Sequence, residues 1–298
     1  MKIDLHIHSN YSFDSTLKVE DIINLAQENN IDVISIVDHN EYLGSIKALS
    51  NNKVEVISGI EIDCFFNEDI IHILGYGLDF NDKKIDDLKE HYKKELNRIA
   101  YERLKIIEDR YNCKLDLDKI KSYSNFDGFS NVEIERVLLE DVKHKDLEIY
   151  QTGIKKDNPI ANFYWDNLSI GKWGYVEIKL PDYKEVIDLI HANQGVAILA
   201  HPKVNLGHNK SKIIELINSK IDGIEVYTSY HSEEDNKFFN DIVCEYDLIK
   251  TVGSDFHGST KPNISIGQTG YNKDCTNIYK SLMERISKYR IRGDYFEK

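Results

Sequence analysis

KIDLHIH, residues 2–8, is the stretch on which the fold reading turns. It alternates apolar and polar positions, and a period of two marks a β-strand with His6 and His8 on one face. Two imidazoles so placed suit two ligands of one metal ion. The next segments continue a regular rhythm: a helical pattern from about Val19 to Glu28, the apolar run DVISIVD (32–38), a short helix, and VEVISGIEID (54–63), read as one strand. This β-α-β succession predicts a mainly parallel sheet. DIIHILGYGL (69–78) follows an Asn-Glu-Asp turn and is expected to pair with its predecessor as a hairpin.

The rhythm then stops. From about Asp82 to Tyr111 apolar residues fall at helical spacing (Leu88, Tyr92, Leu96, Ile99, Leu104, Ile107) within dense charge, and no core strand is legible before Pro181. Beyond it the units resume as DYKEVIDLIHANQ, GVAILAHP, KIIELINS, DGIEVY, SEEDNKFFNDIVCEY and LIKTVGSDFHG. The expected organisation is a barrel domain in two parts, 1–93 and 176–298, interrupted by a helical insertion at 94–175 that serves as a lid or substrate domain. With only four prolines, the insertion is expected to be docked rather than tethered.

The formal charge of −13 opposes binding of duplex DNA, whose affinity rests on many Lys and Arg contacts to phosphate. It leaves room for a small phosphorylated substrate, because clustered divalent ions invert the local potential. Cys64, Cys113, Cys244 and Cys275 form no CxxC pair, and neither a signal peptide nor a membrane span is legible. The expectation is a cytoplasmic protein without a membrane partner; the sequence sets no oligomeric state.

Ligand-type residues recur at strand ends. DVISIVDHN ends in Asp38 and His39, VISGIEID carries Glu61, AILAHP ends in His201, and TVGSDFHG ends in Asp255 and His257. In α/β barrels that rim holds the active site, so these side chains are expected to converge. Carboxylates and imidazoles without thiolates favour Mn²⁺, Fe²⁺ or Zn²⁺, and neighbouring ions can hold a bridging hydroxide and clamp substrate oxygens. The expected chemistry is hydrolysis, with no GxSxG or reactive-cysteine signature beside it. Asp38 is a candidate for orienting a ligand. His91, His144, His191 and His208 lie away from strand ends and are read as surface or packing residues.

In order along the chain, DLHIHSNYSFD, IVDHN, GIEID, HILGYG, LAHP and GSDFHG resemble the successive motifs of the PHP (polymerase and histidinol phosphatase) family, most closely its small bacterial nucleotide and oligonucleotide phosphoesterases with an inserted helical domain. The resemblance covers about 1–80 and 176–298. It implies a distorted (β/α)₇ barrel, an α/β fold, with two or three divalent ions. His6, His8, Glu61 and Asp255 would hold one ion, Glu61 would bridge to a second completed by His72 and His201, and Asp14, His39 and His257 would hold the third. Asp14 stands where some relatives have His. IEVYTSYHSEED makes His231 a candidate for charge stabilisation or leaving-group protonation, and in FSNVEIERVLLED only Arg136 matches the family's phosphate-contacting arginine segment.

The function so implied is a phosphomonoesterase acting on a nucleotide or nucleoside bisphosphate. Its rivals are a 5′-to-3′ exonuclease on short oligonucleotides, histidinol-phosphate hydrolysis, and a non-catalytic metal-binding module. A near-complete ligand set argues against the last.

Overall fold

The computed structural model describes residues 1–296. Its first half contains β1 (Ile3–Ile7), α1 (Val19–Glu28), β2 (Val33–Ile36), α2 (Leu43–Leu49), β3 (Glu55–Val56), β4 (Gly59–Phe66) and β5 (Asp69–Tyr76). A helical stretch follows: α3 (Lys83–Tyr111), α4 (Leu117–Tyr123), α5 (Asn131–Asp141), α6 (Glu148–Gln151) and α7 (Pro159–Asn167). The strand rhythm returns with α8 (Tyr183–Ala192), β6 (Val196–Leu199), α9 (Pro202–Leu206), α10 (Lys210–Asn218), β7 (Gly223–Thr228), α11 (Glu233–Glu245), β8 (Ile249–Gly253) and α12 (Thr276–Phe296).

Strands β1, β2 and β3 form one parallel sheet and β4 to β8 a second. The sheets meet along two seams at one rim. At the first, Asp255 N donates to His6 O (2.8 Å) and His8 N to Phe256 O (2.9 Å); at the second, Asn40 N donates to Glu61 O (2.7 Å). Both seams therefore run through the residues singled out by the sequence. Strand β5 is antiparallel to both β4 and β6, which is the distortion in an otherwise parallel barrel.

VEVISGIEID is not one strand. Ile57 O accepts from Ser35 Oγ (2.9 Å), on the first sheet, while Ser58 O accepts from Gly77 N (2.8 Å), on the second. Consecutive carbonyls serve different sheets, and the chain breaks into β3 and β4 as it crosses. Taken as one broken stave, this pair brings the barrel to seven. The expected hairpin of β4 and β5 is present, pairing Asp63 with His72.

The barrel interior is filled by Leu5, Val33, Leu74, Tyr76 and Ile198, all fully buried, and closed below by Ile278, Leu282 and Ile286 of α12. Fully burying each such aliphatic side chain contributes roughly 1.5–3 kcal/mol. Helix α3 joins three packing regions in turn: Ile85 packs with the barrel, Tyr92 and Leu96 pack near Val176, and Ala100 and Ile107 pack with Phe129, Ile134 and Phe163 of the insertion. It begins on an Asp82 cap, whose side chain accepts from Lys84 N, and ends where Asn112 turns left-handed at φ 47°. The expected boundary between residues 93 and 94 thus falls inside an unbroken helix.

Candidate metal centre and its cavity

His6 lies on β1 and His8 follows it; their Nε2 atoms approach to 3.1 Å. His6 Nε2 is 3.1 Å from Glu61 Oε2 and 3.2 Å from Asp255 Oδ1, and His8 Nε2 is 3.1 Å from each of those oxygens. All four residues are buried. The other oxygen of Glu61, Oε1, lies 3.1 Å from both His72 Nδ1 and His201 Nε2. A carboxylate whose two oxygens face different imidazole sets is placed to bridge two ions. His257 Nε2 lies 3.1 Å and His39 Nε2 3.7 Å from Asp14 Oδ2, forming a third group. The nine expected ligands are therefore brought together. His72 reaches the rim because β5 runs backwards, so its amino-terminal half lies at the ends of its neighbours.

These positions fit divalent ions. Bonds of 2.0–2.1 Å in a tetrahedral shell separate ligand atoms by about 3.3 Å, close to the observed 3.1–3.2 Å spacings. His257 Nε2, buried and 3.1 Å from Asp14 Oδ2, makes no hydrogen bond to it. Two lone pairs directed at a common third point explain that contact. Three non-glycine residues at this rim adopt left-handed backbone, Asn40 (φ 50°), His201 (φ 25°) and Asp255 (φ 58°), strain of the kind concentrated at functional sites.

Electrostatics support the same arrangement. Burial pushes the Glu61 carboxyl up, but His6, His39 and His72 outweigh it and hold it well below the usual range. Asp255 is likewise lowered against burial, chiefly by Lys261 and then His257 and His6. Burial resists charging of His39, yet Asp63, Glu61 and Asp14 raise it to about 10. Burial, with His8 and Lys261, lowers His257 to about 4. Metal uptake at such a cluster must displace protons from imidazoles.

Several supporting residues escaped the sequence reading. Glu225, fully buried on β7, places Oε1 at 2.9 Å from His6 Nδ1, while Oε2 accepts from His201 N at 2.8 Å. Gly253 makes room for this pair, since a Cβ there would lie 2.2 Å from His6 Cβ and 2.6 Å from Glu225 Oε1. Asp63 accepts from Tyr92 OH at 2.6 Å and lies 2.9 Å from His39 Nδ1. A Glu inside GIEVY, flanked by apolar residues, was the available signal for Glu225. Asp38 instead accepts from Ser9 N (2.6 Å) and Ser9 Oγ (2.8 Å), anchoring the loop after β1, and burial raises its carboxyl to about 6.

A cavity of about 650 Å³ opens from the cluster toward the insertion, and Asp14, His39, His72, His201 and Asp255 all border it. Tyr164, Trp165 and Tyr175 form part of its aromatic wall. Its lysine and arginine side chains, among the described residues, are Lys261 and Arg103. Lys261 Nζ donates to Asp255 Oδ2 at 2.7 Å and lies 3.0 Å from Tyr230 OH, which also donates to Asp255. Arg136 does not border the cavity: its guanidinium lies over the Tyr123 ring at 5.0 Å, while Asn131 and Glu135 of α5 border the cavity instead. His231 does not border the cavity either. It is buried with Nδ1 donating to Val226 O (2.8 Å), its ring stacked on Phe239 and its Nε2 without a hydrogen-bond partner.

The remaining histidines make structural contacts. His91 Nε2 pairs with Lys179 O, His144 Nδ1 accepts from Asp146 N, His191 lies 2.8 Å from Asp222, and His208 lies 2.6 Å from Asp235. The insertion is docked in part by Asn125 Nδ2, which donates to Ser15 O at 2.8 Å. Among the described residues no helix is long and apolar enough to cross a membrane.

The sequence profile of the PHP domain matches residues 4–291. A 5′-3′ exoribonuclease of Haemophilus influenzae is 27% identical over 266 residues, covering 86% of this chain and 90% of its own. A 3′,5′-nucleoside bisphosphate phosphatase of Chromobacterium violaceum is 24% identical over 291 residues, covering 95% of this chain and 97% of its own. The solved structure of an amidohydrolase from Chromobacterium violaceum, with bound sulfate and no metal, superimposes with a TM-score of 0.77 at 21% identity, covering 96% of this chain and 97% of that one. With this fold and ligand cluster, the chain belongs to the PHP domain family and is a metal-dependent phosphoester hydrolase.

Proposed function

We propose that the chain removes phosphate from a small phosphomonoester, with a nucleotide as the leading substrate, using two or three ions drawn from Mn²⁺, Fe²⁺ and Zn²⁺. The observation that carries this reading is the cavity shared between the cluster and the insertion, which offers an aromatic wall with one lysine and one arginine rather than a basic track. When bound, the ions would supply Lewis-acid stabilisation of the phosphoryl oxygens and a lowered pKa for water. His6, His8, Glu61 and Asp255 would hold the first, with His72 and His201 reached through Glu61, and Asp14, His39 and His257 holding the last. Lys261 and Tyr230 orient Asp255 and border the reacting end, so Lys261 is the side chain of this chain suited to offset charge on the phosphoryl group. His231, which follows Tyr230 in the chain, keeps its proposed part in charge stabilisation or leaving-group protonation as the alternative. Residues 94–175 act in this reading as a lid, and four unpaired cysteines accord with a cytoplasmic setting.

The rival reading is exonucleolytic, favoured by Trp165, which borders the cavity yet is 54% exposed and could stack a further base. The test is kcat/KM for Mn²⁺-loaded protein on substrates of one to about five nucleotides at one ionic strength, extending to roughly the site size of a small single-strand groove. The phosphomonoesterase predicts a fall with length, because added phosphates meet an acidic chain. A steady rise would overturn it in favour of the exonuclease.

A further inference from the structure

A small apolar cluster near the metal rim includes Phe13, Leu96, Ile99, Val176, Ile178 and Leu180, and each of them borders the cavity. Phe13 begins this wall at the ligands, its ring centre 5.5 Å from that of His39. Trp165 (54% exposed), Ile170 (49%) and Val204 (40%) border the same cavity and carry the wall to the surface. Apolar lining therefore runs from the ligand cluster out to solvent.

Protein cores close on themselves at crystal-like density and leave few voids larger than a water molecule. An apolar face that instead borders about 650 Å³ of open space forgoes the contacts that an apolar partner would supply. Four polar side chains on these walls hydrogen-bond within the protein. Asn131 accepts from Arg103 Nη1 and donates to Glu135 Oε1, Asn162 Nδ2 donates to Lys155 O (3.1 Å), Asn205 Nδ2 to Ile70 O (2.9 Å), and Ser169 Oγ to Trp165 O (2.9 Å). Much of their capacity is taken before a sugar hydroxyl could use it, whereas apolar carbon meets most of the wall. Mostly apolar pockets with few polar groups are the usual form of small-molecule sites.

We propose that the cavity selects its leaving group by apolar surface: the substrate class is a phosphomonoester of an apolar alcohol, whose carbon lies against Phe13, Leu96, Ile99 and Val176 while its phosphoryl group faces the ligand cluster. This inference rests on the phosphomonoesterase reading and adds the property of the alcohol that the wall measures. A nucleotide satisfies it through its base and not through its ribose.

The test uses the full chain supplied with Mn²⁺ and straight-chain alkyl phosphates from ethyl to octyl, a series along which the basicity of the leaving alkoxide hardly changes. The expected result is a rise in kcat/KM of about threefold for each added methylene until the cavity is filled, close to the gain from burying one such group. Pentyl phosphate should exceed ribose 5-phosphate, equal to it in carbon number but covered in hydroxyls, by at least about tenfold. Calorimetric binding of the matching alkylphosphonates, which are not hydrolysed, should strengthen with length in the same way. In Leu96→Gln, which sets an amide in the wall, both slopes should flatten while metal content is retained. A gain below about 1.5-fold per methylene in phosphonate binding to the unaltered protein, well short of a buried methylene, overturns the proposal without any variant. Ribose 5-phosphate turned over as well as pentyl phosphate, or an unchanged slope in Leu96→Gln, does the same. If no phosphomonoester released phosphate while phosphonate affinity still rose with length, the functional reading would fail and the apolar site would stand.

Discussion

Glu225 on β7 and His6 on β1 lie 2.9 Å apart, carboxylate oxygen to Nδ1, at the centre of the barrel rim. With Nδ1 as the protonated nitrogen, His6 presents Nε2 as a lone pair toward Glu61, His8 and Asp255. Both oxygens of Glu225 accept N–H groups, the second from the His201 backbone, so an amide here must set donor against donor on one side. Glu225→Gln is expected to weaken metal binding by about 10- to 100-fold, the usual cost of removing such an outer partner. Chelator-competition titration measures it, and unchanged affinity would show that the contact does not tune the site.

Purified from metal-supplemented cultures, the protein is expected to carry two to three equivalents of divalent ion by elemental analysis. Glu61→Ala should lose at least one, since Glu61 alone faces His6 and His8 with one oxygen and His72 and His201 with the other. A variant that keeps full metal content would refute the bridging assignment.

Lys261→Met and His231→Ala separate two candidates for charge or proton work. Lys261 borders the cavity and pairs with Asp255, whereas His231 is packed on Phe239 and does not border it. The expected order is a loss of roughly 10²- to 10³-fold in kcat for Lys261→Met, and a smaller loss for His231→Ala, with metal content retained in both. The reverse order would return the catalytic role to His231.

Glu135 makes a prediction about stability and pH. Its carboxyl rises from 4.5 to about 8 on folding because it is buried. The folded state therefore binds its proton more tightly, and the associated stability is present below pH 4.5 and lost as pH rises toward 8. At about 1.4 kcal/mol per unit, the ceiling of this loss is about 5 kcal/mol. Chemical denaturation of the native protein and Glu135→Gln across that range should give curves that diverge with rising pH, the variant losing less. Parallel curves would mean that Glu135 is already ionised in the folded protein.

The rim was legible because His6, His8, His39, Glu61, His201, Asp255 and His257 sit at or near ends of apolar runs, where fold geometry alone brings side chains together. His72 and Asp14 obeyed no such rule: one lies inside a reversed strand and the other in a loop, and only motif resemblance pointed to them. Helix α5 defeated the choice of arginine. Glu135 and Arg136 are neighbours about 100° apart around α5, and with apolar residues on both flanks the sequence alone does not fix which of them faces inward. Arg103 was hidden for a related reason, since on a long charged helix nothing local marks which cation is turned inward and buried. The break in VEVISGIEID was equally silent, because it depends on which sheet each carbonyl finds.

Helix α3 runs from Lys83 to Tyr111 without a glycine or proline, about 44 Å at 1.5 Å per residue. It acts as a cantilever clamped in the barrel at Ile85 and loaded by the insertion beyond Ala100. Between the clamp and the load sits Tyr92, whose hydroxyl holds Asp63, which in turn holds His39. A helix with no glycine or proline joint links the insertion to that hydroxyl, so a tilt of the insertion is expected to shift Tyr92 and, through Asp63, His39. The stiffness of one helix thus sets how independently the outermost ligand group and the roof above it can move.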